Sequence, residues 1–356
     1  MAGEKGFFAK AYGEHYQVGL QVGEAFASVM AELVAEAGIP GKYEGPPYED
    51  RLALMRANFE RLAPELLAEM EGLADGAGLP REHVLKFNVL PEVKRAGCSL
   101  VGFADAPGGP LLAKTTDIPA GRTDRRAMVV IDVPGKAQAL MLTVPGTVWC
   151  SGGVNEWGLG CANAAVETDE WRDDGIPSRC VPRLLLQRCR TFDEALEFLR
   201  DAQFNCAPFN LLVADEDRVV CVERSVYKMA VREPVEGVVF ATNHFVTPEL
   251  SVLHSHSEAE MANSQQRYEK LARLTAEKPH TLEGARAVLE DCSKPGPICQ
   301  AGDDPSRLVT TAASIFRPRA RVAWFAPGMP CQSKLRPFQL QLPVVAGGSR
   351  VAGEFT

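Results

Sequence analysis

What this chain lacks narrows its chemistry first. Its ten cysteines, at 98, 150, 161, 180, 189, 206, 221, 292, 299 and 331, include no Cys-x-x-Cys pair, which removes the usual zinc-ribbon and thioredoxin spacings and leaves the expectation of no metal. There is no Gly-x-Gly-x-x-Gly and no Walker sequence to cradle phosphates. No run of about 18 apolar residues suggests a membrane span, and the opening residues carry no apolar stretch of signal-peptide length, so a cytoplasmic protein is expected. Basic charge is also short. With 38 Lys and Arg against 46 Asp and Glu, the net charge is -8, which argues against nucleic acid or anionic lipid as an electrostatic partner. Small-molecule substrates are the expectation that remains.

What is present is enough apolar residue, 46% of 356, to bury a large core. Up to Gly97 the pattern is helical. Apolar residues recur at helical spacing from Glu14 to Ala37 and stop at Gly38-Ile-Pro40; Glu49 to Gly72 is a second stretch broken at Pro64, and Arg81 to Leu90 a third. From Cys98 onward strands appear at Leu111 to Thr116, Ala127 to Val133 and Gln138 to Val144, and a hairpin from Trp149 to Val166 turns near Asn155-Glu-Trp-Gly158. A helix pair follows, from Ser178 to Cys189 and after the capping box Thr191-Phe-Asp-Glu194. Strands return at Phe209 to Ala214, Arg218 to Glu223 and Gly237 to Thr242. Helices at Ser257 to Glu277 and Thr281 to Asp291 lead to a last hairpin around Arg317. Hairpins grouped between helix pairs point to an α+β fold of stacked sheets with helices outside, not a doubly wound parallel sheet. His254-Ser-His256 is a weak metal pattern, better read as a polar loop, and Asp169 to Asp174 lacks the spacing of a calcium loop.

Several segments, in order, resemble the acyl-coenzyme A:6-aminopenicillanic acid acyltransferase family of N-terminal-nucleophile hydrolases. They are the Gly-rich early helix from Gly13 to Gly23, Gly97-Cys98-Ser99, Lys114-Thr-Thr-Asp117, Gly153-Val-Asn-Glu-Trp-Gly-Leu159 with Asn163, Val222-Glu-Arg-Ser225, Thr242-Asn-His-Phe245 and Thr311-Ala-Ala-Ser314. Thr115-Thr116 depart from the family's Asn-bearing dipeptide. The resemblance implies a four-layer αββα sandwich of two stacked antiparallel sheets. It implies a pro-region or small subunit over 1–97, which stays as the partner of a catalytic domain over 98–356, and cleavage between Gly97 and Cys98. Cys98 would then be the nucleophile, with its freed α-amine as base. That amine has an ordinary pKa of about 7.7–8.0, close to working pH.

The same resemblance implies that Asp117 orients the amine and that Asn243 donates to the oxyanion; turn or strand-end hydrogen bonding is the plain alternative for each. Asn155 fits turn chemistry. Asn163, Ser225 and Ser314 are candidates to support the site, and Lys114 either lowers the thiol pKa or faces solvent. Arg307 and Arg317 are candidates for a carboxylate or a coenzyme phosphate. No cofactor is implied beyond acyl-coenzyme A as an acyl donor. A Cys-His hydrolase built on His244 and a binding protein that kept the fold without activity are the rival readings.

Overall fold

The computed structural model describes residues 7–90, 97–121, 125–201, 206–255, 257–301 and 308–341. Arg307 and His256 lie outside them. The chain opens with β1 (Phe8–Tyr12), then α1 (His15–Glu36), α2 (Pro46–Leu62), α3 (Pro64–Ala77) and α4 (Arg81–Val89). Pro64 starts α3 at its first turn, where a missing N–H costs nothing, so the broken second stretch is two helices. Strands β2 (Gly97–Phe103), β3 (Leu111–Pro119), β4 (Ala127–Asp132), β5 (Ala139–Thr143), β6 (Gly152–Asn155) and β7 (Gly160–Ala165) precede α5 (Val181–Arg188) and α6 (Phe192–Arg200). Then come β8 (Phe209–Ala214), β9 (Val219–Arg224), β10 (Met229–Arg232), β11 (Val238–Ala241), α7 (Pro248–Ser251), α8 (Glu258–Glu277), α9 (Leu282–Leu289), β12 (Leu308–Arg317), β13 (Val322–Pro327) and β14 (Arg336–Gln339). Capping boxes at Thr191 and Ser257 open α6 and α8.

These strands form an eight-stranded sheet, ordered β1-β4-β5-β6-β7-β8-β9-β10, and a six-stranded sheet, ordered β11-β2-β3-β12-β13-β14. Their inner faces share one apolar core, in which Leu100, Leu112, Phe316 and Phe325 of the smaller sheet meet Met128, Val130, Leu140 and Leu212 of the larger. The outer face of the smaller sheet packs Val101, Phe103, Ala113 and Ile315 on Leu271, Leu274, Val288 and Leu289 of α8 and α9. The outer face of the larger sheet is covered by α1 to α6. The result is the four-layer αββα sandwich that the resemblance implies.

The N-terminal segment differs from a purely helical reading. β1 adds an edge strand to the larger sheet and runs parallel to β4, so that sheet is not wholly antiparallel. The chain leaves β1 into α1 and returns only at β4, and a long crossover of that kind is what a parallel neighbour requires. Helix α1 is long and apolar enough by length and composition to cross a bilayer, and here Val18, Val22, Phe26 and Met30 are buried against the larger sheet and its helices. It meets α3 at backbone distance. A Cβ added at Gly19 would lie 2.1 Å from the Glu69 carbonyl oxygen, and one at Gly72 2.0 Å from that of Tyr16, so glycine is required at both.

Candidate active site

Alternation along β2 and β3 decides what surrounds the Gly97–Cys98 peptide. Side chains on a strand point to opposite faces in turn. Cys98 and Leu100 therefore enter the core between the sheets, while Val101 and Phe103 face α8 and α9. The two strands pair with Gly97 opposite Asp117 and Cys98 opposite Thr116. Asp117 thus belongs to the face toward α8, and the Cys98 thiol to the face between the sheets.

On the α8 side the Asp117 carboxylate is fully buried. It accepts from Gln300 Nε2 at 2.8 Å and from Thr310 Oγ1 at 2.6 Å. Thr310 is its partner across the β3–β12 ladder, where the register slips between Thr310 and Ala312; such bulges re-aim side chains beside functional sites. Burial pushes the Asp117 carboxyl above its usual range, with the nearby Arg267 guanidinium and the Thr310 and Gln300 hydrogen bonds opposing. Asp117 is therefore an interior strand residue, not a turn aspartate.

Arg267 of α8, buried like Asp117, ties the junction together. It donates to the Cys98 carbonyl at 2.5 Å, to Ser99 Oγ at 3.2 Å, to Asn243 Oδ1 at 2.8 Å and to Asn263 Oδ1 at 3.0 Å. Asn243 follows β11. Its Oδ1 also accepts the Cys98 backbone N–H at 2.9 Å, and its Nδ2 donates to the Ala165 carbonyl at 2.9 Å. Asn243 thus contacts the very nitrogen that cleavage would free, through its oxygen, while its amide nitrogen keeps one hydrogen beyond the bond to Ala165. His244 bonds Ser264 Oγ at 2.8 Å and Thr242 Oγ1 at 3.1 Å through Nδ1, and its ring packs edge-on to Tyr268.

On the thiol side, Lys114 is buried within the sandwich. Its ammonium donates to the Ser151 carbonyl at 3.2 Å, to Asn163 Oδ1 at 2.9 Å and to the Asn163 carbonyl, so Lys114 and Asn163 act as a unit joining the two sheets. Burial pulls the Lys114 pKa down, while the Cys98 thiol favours its charge. Arg179 is drawn down to about 10 by burial and by Arg126, again with Cys98 opposing. Arg179 stacks on Trp149, 4.6 Å from the ring centroid, and Arg51 on Trp171 at 4.7 Å. These pairs line a cavity of about 110 Å³ together with Asn88, Pro177 and Cys206. Trp149 lies in the connection from β5 to β6, and Trp171 and Pro177 in the one from β7 toward α5. Cys98 is not itself among the residues on the cavity wall.

Other sequence candidates sit elsewhere. Asn155 Oδ1 accepts from Trp157 and Leu159 N–H at 3.1 and 2.9 Å, and its Nδ2 reaches the Leu186 and Cys189 carbonyls, so it shapes the β6–β7 turn and anchors α5. Ser225 Oγ accepts from Tyr227 and Lys228 N–H in the β9–β10 turn. Ser314 stands opposite Lys114 in the ladder, its buried hydroxyl without a partner among the described residues. Arg317 lies over Trp324, 5.8 Å from the ring centroid. Sequence reasoning missed Arg267, Gln300, Thr310, Arg126 and Arg179. For Arg267 the sequence holds no signal, since a charge in a helical pattern reads as solvated.

A model of the acyl-coenzyme A:6-aminopenicillanic acid acyl-transferase family matches residues 105–332. The chain belongs to that family. Membership places it among enzymes of acyl transfer and amide hydrolysis that act on small acyl amides. The matched span begins beyond Cys98, so the assignment does not rest on the cysteine. Among solved structures, the chain is similar to penicillin V acylase from Agrobacterium tumefaciens, with 15% identity over 65% of this chain and 82% of that one and a TM-score of 0.41. It is similar to the Caenorhabditis elegans ortholog of N-acylethanolamine-hydrolyzing acid amidase, with 14% identity, 62% and 93% coverage and a TM-score of 0.45. A mutant of the conjugated bile acid hydrolase from Clostridium perfringens gives 11% identity, 68% and 97% coverage and a TM-score of 0.38. No curated protein matches the chain in sequence.

Proposed function

We propose that this family member is a cysteine acyl-transfer enzyme that cuts itself between Gly97 and Cys98 and then works through an S-acyl-Cys98 intermediate. The observation that carries the reading is the convergence on the two peptide units flanking Cys98: Asp117 opposite Gly97, Asn243 on the Cys98 nitrogen, and Arg267 on the Cys98 carbonyl. In the precursor the thiol attacks the Gly97 carbonyl, the C–N bond breaks, and a thioester replaces the peptide bond. Water hydrolyses that thioester, leaving a Gly97 carboxylate, a free thiol and an α-amine on Cys98. In turnover the amine takes the thiol proton. Sulfur adds to the acyl carbonyl of an amide or thioester donor, the second Nδ2 hydrogen of Asn243 stabilises the oxyanion, and the donor's amine or thiol leaves with the proton. An acceptor amine or water then releases the acyl group.

Segment 1–97 acts as a small subunit in this reading. Its docking supports the idea: Asn58 Nδ2 donates to the Asp173 and Gly175 carbonyls at 2.5 and 2.9 Å, and Asn88 bonds the backbone of Gly146 and Val148. The Arg179 guanidinium on Trp149, repelled by the Arg126 charge, favours a substrate that carries a carboxylate. The bonds from His244 to Ser264 and Thr242 favour a structural role for it over that of general base. Denaturing electrophoresis with intact mass tests the proposal. Two fragments breaking at Gly97/Cys98 are expected for the wild type and one chain for Cys98→Ala; a wild type that stays whole and still turns over an acyl amide would overturn self-cleavage.

A further inference from the structure

Cys292 and Cys299 lie in the connection that follows α9 and Cys331 in the turn after β13, yet their sulfurs all come within 4.8 Å of one another. The sulfurs of Cys299 and Cys331, 32 residues apart, lie 3.2 Å from each other. That separation is well beyond the roughly 2.05 Å of a disulfide. Zinc–sulfur bonds of about 2.3 Å in a tetrahedron set sulfurs about 3.8 Å apart, within reach of small side-chain adjustments here. We propose that these three thiolates bind one zinc ion.

Sulfur-only donors select a thiophilic cation over magnesium or calcium. Cys299 is buried while Cys292 and Cys331 are exposed, so a tetrahedral ion would hold three protein ligands and turn its fourth position to solvent. The loops are already fastened around that point. The Cys299 N–H donates to the Asp291 carbonyl at 2.9 Å, and the Lys270 ammonium holds Ser293 through its carbonyl at 2.7 Å and its hydroxyl at 2.8 Å. Ordering of this kind lowers the entropic cost of gathering ligands from separate loops. Binding deprotonates each thiol, and the protons leave to solvent.

The cluster also has a place relative to the active site. Gln300 follows Cys299 directly and donates to Asp117 at 2.8 Å. An ion on Cys299 therefore clamps the loop that positions the Asp117 carboxylate.

The test uses the full chain in a Cys98→Ala background, so that the nucleophile contributes no sulfur, with a phosphine reductant and metal removed. Zinc alone is titrated against a chromophoric chelator. One tight equivalent is expected, with a zinc-dependent rise in melting temperature. Cys292→Ser and Cys331→Ser, both at exposed positions, should each weaken binding by at least about 10–100-fold, the range set by loss of an outer-shell partner alone, and should abolish the rise. Zinc stoichiometry and affinity unchanged by both substitutions would overturn the proposal. So would absence of zinc binding together with a Cys299–Cys331 disulfide mapped in the unreduced protein. Neither readout depends on self-cleavage or turnover, so the result stands apart from the reading of Cys98.

Discussion

Gly97 faces Asp117 across the β2–β3 ladder, and the aspartate carboxylate occupies the space a side chain at position 97 would need. A Cβ added at Gly97 would sit 2.8 Å from Asp117 Oδ2 and 2.9 Å from Leu308 Cδ1. Gly97 is not among the glycines with positive φ, so its requirement is for room and not for an unusual backbone. Gly97→Ala should cost roughly 1–3 kcal/mol through overpacking, and it should slow cleavage at the junction by displacing the peptide from Asp117 and Asn243. Chemical denaturation and a time course on denaturing gels read the two effects. A variant as stable as wild type that cuts at the same rate would show that the contact is slack.

Arg267 supplies the positive charge that opposes the burial of Asp117. Burial raises the carboxyl's pKa and the guanidinium lowers it, so removing the guanidinium raises it further. If ionised Asp117 holds the Cys98 amine, the acid limb of kcat/KM should move to higher pH in Arg267→Met and return toward the wild-type position in Arg267→Lys, which restores charge without the fork of hydrogen bonds. A limb that stays in place in Arg267→Met would remove Asp117 as the titrating group. Intact folding is checked by circular dichroism.

Glu69 of α3 lies between His15 Nδ1 at 2.9 Å and Arg183 Nη2 at 2.5 Å, the latter on α5 across the proposed subunit boundary. Burial works against its charge, but Arg183 and His15 more than offset this and hold the carboxyl below its usual range. A depressed carboxyl pKa stabilises the fold above the unfolded value, about 4.3, and that stabilisation is lost as pH falls through the folded value. Acid should therefore loosen α3 from α5 before the sheets melt. Glu69→Gln leaves Arg183 buried with a weak partner and should cost about 3–5 kcal/mol, with the pH dependence below the usual glutamate range flattened. Urea unfolding at several pH values measures both.

The sequence showed the layers but not the bonds between them. Periodicity placed α1 to α6 and most strands to within a few residues because these elements bury one face each, and the capping box at Thr191 marked a helix start through local hydrogen bonds alone. β1, β10 and β14 escaped notice: they are short edge segments with exposed polar positions, such as Arg336 and Gln339 in β14, so no alternation stands out. Cys98, Asp117 and Asn243 stand out as candidates through order along the chain, and Lys114 with Asn163 by proximity to those motifs. Arg267 was not, because its role comes only from α8 packing over β2. The three-cysteine cluster was invisible for the same reason: its spacing is set by where loops meet and not by local sequence.

Asn243 sits where its side chain can serve both the amine and the oxyanion, and kinetics can separate these. The Oδ1 atom already accepts from the Cys98 N–H at 2.9 Å and from Arg267 at 2.8 Å. Asn243→Asp keeps that acceptor but loses the donor, whereas Asn243→Ala loses both. Loss of one oxyanion donor costs about 10²–10³ in kcat, so both variants should fall by at least that much, with Asn243→Ala further impaired in cleavage of the precursor. An aspartate variant within a few-fold of wild type in kcat would assign the oxyanion to other donors and leave Asn243 as a holder of the Cys98 nitrogen.

Arg179 gives a prediction about substrate rather than rate. Its guanidinium stacks on Trp149 at the cavity wall and is held down to about 10 by burial and by the nearby Arg126, so two like charges stand close together with a shared preference for an anion. A carboxylate placed between them would relieve that repulsion and gain charge-assisted hydrogen bonds worth about 1.5–3 kcal/mol, or roughly 10- to 150-fold in affinity. Arg179→Leu keeps apolar bulk against Trp149 and removes the charge. It should raise KM by about that factor for acyl amides bearing a carboxylate and leave KM for their methyl esters nearly unchanged. Any loss of folding or positioning would affect both substrates alike, and the ratio between them isolates recognition. Equal KM changes for acid and ester would show that the two arginines do not recognise a carboxylate.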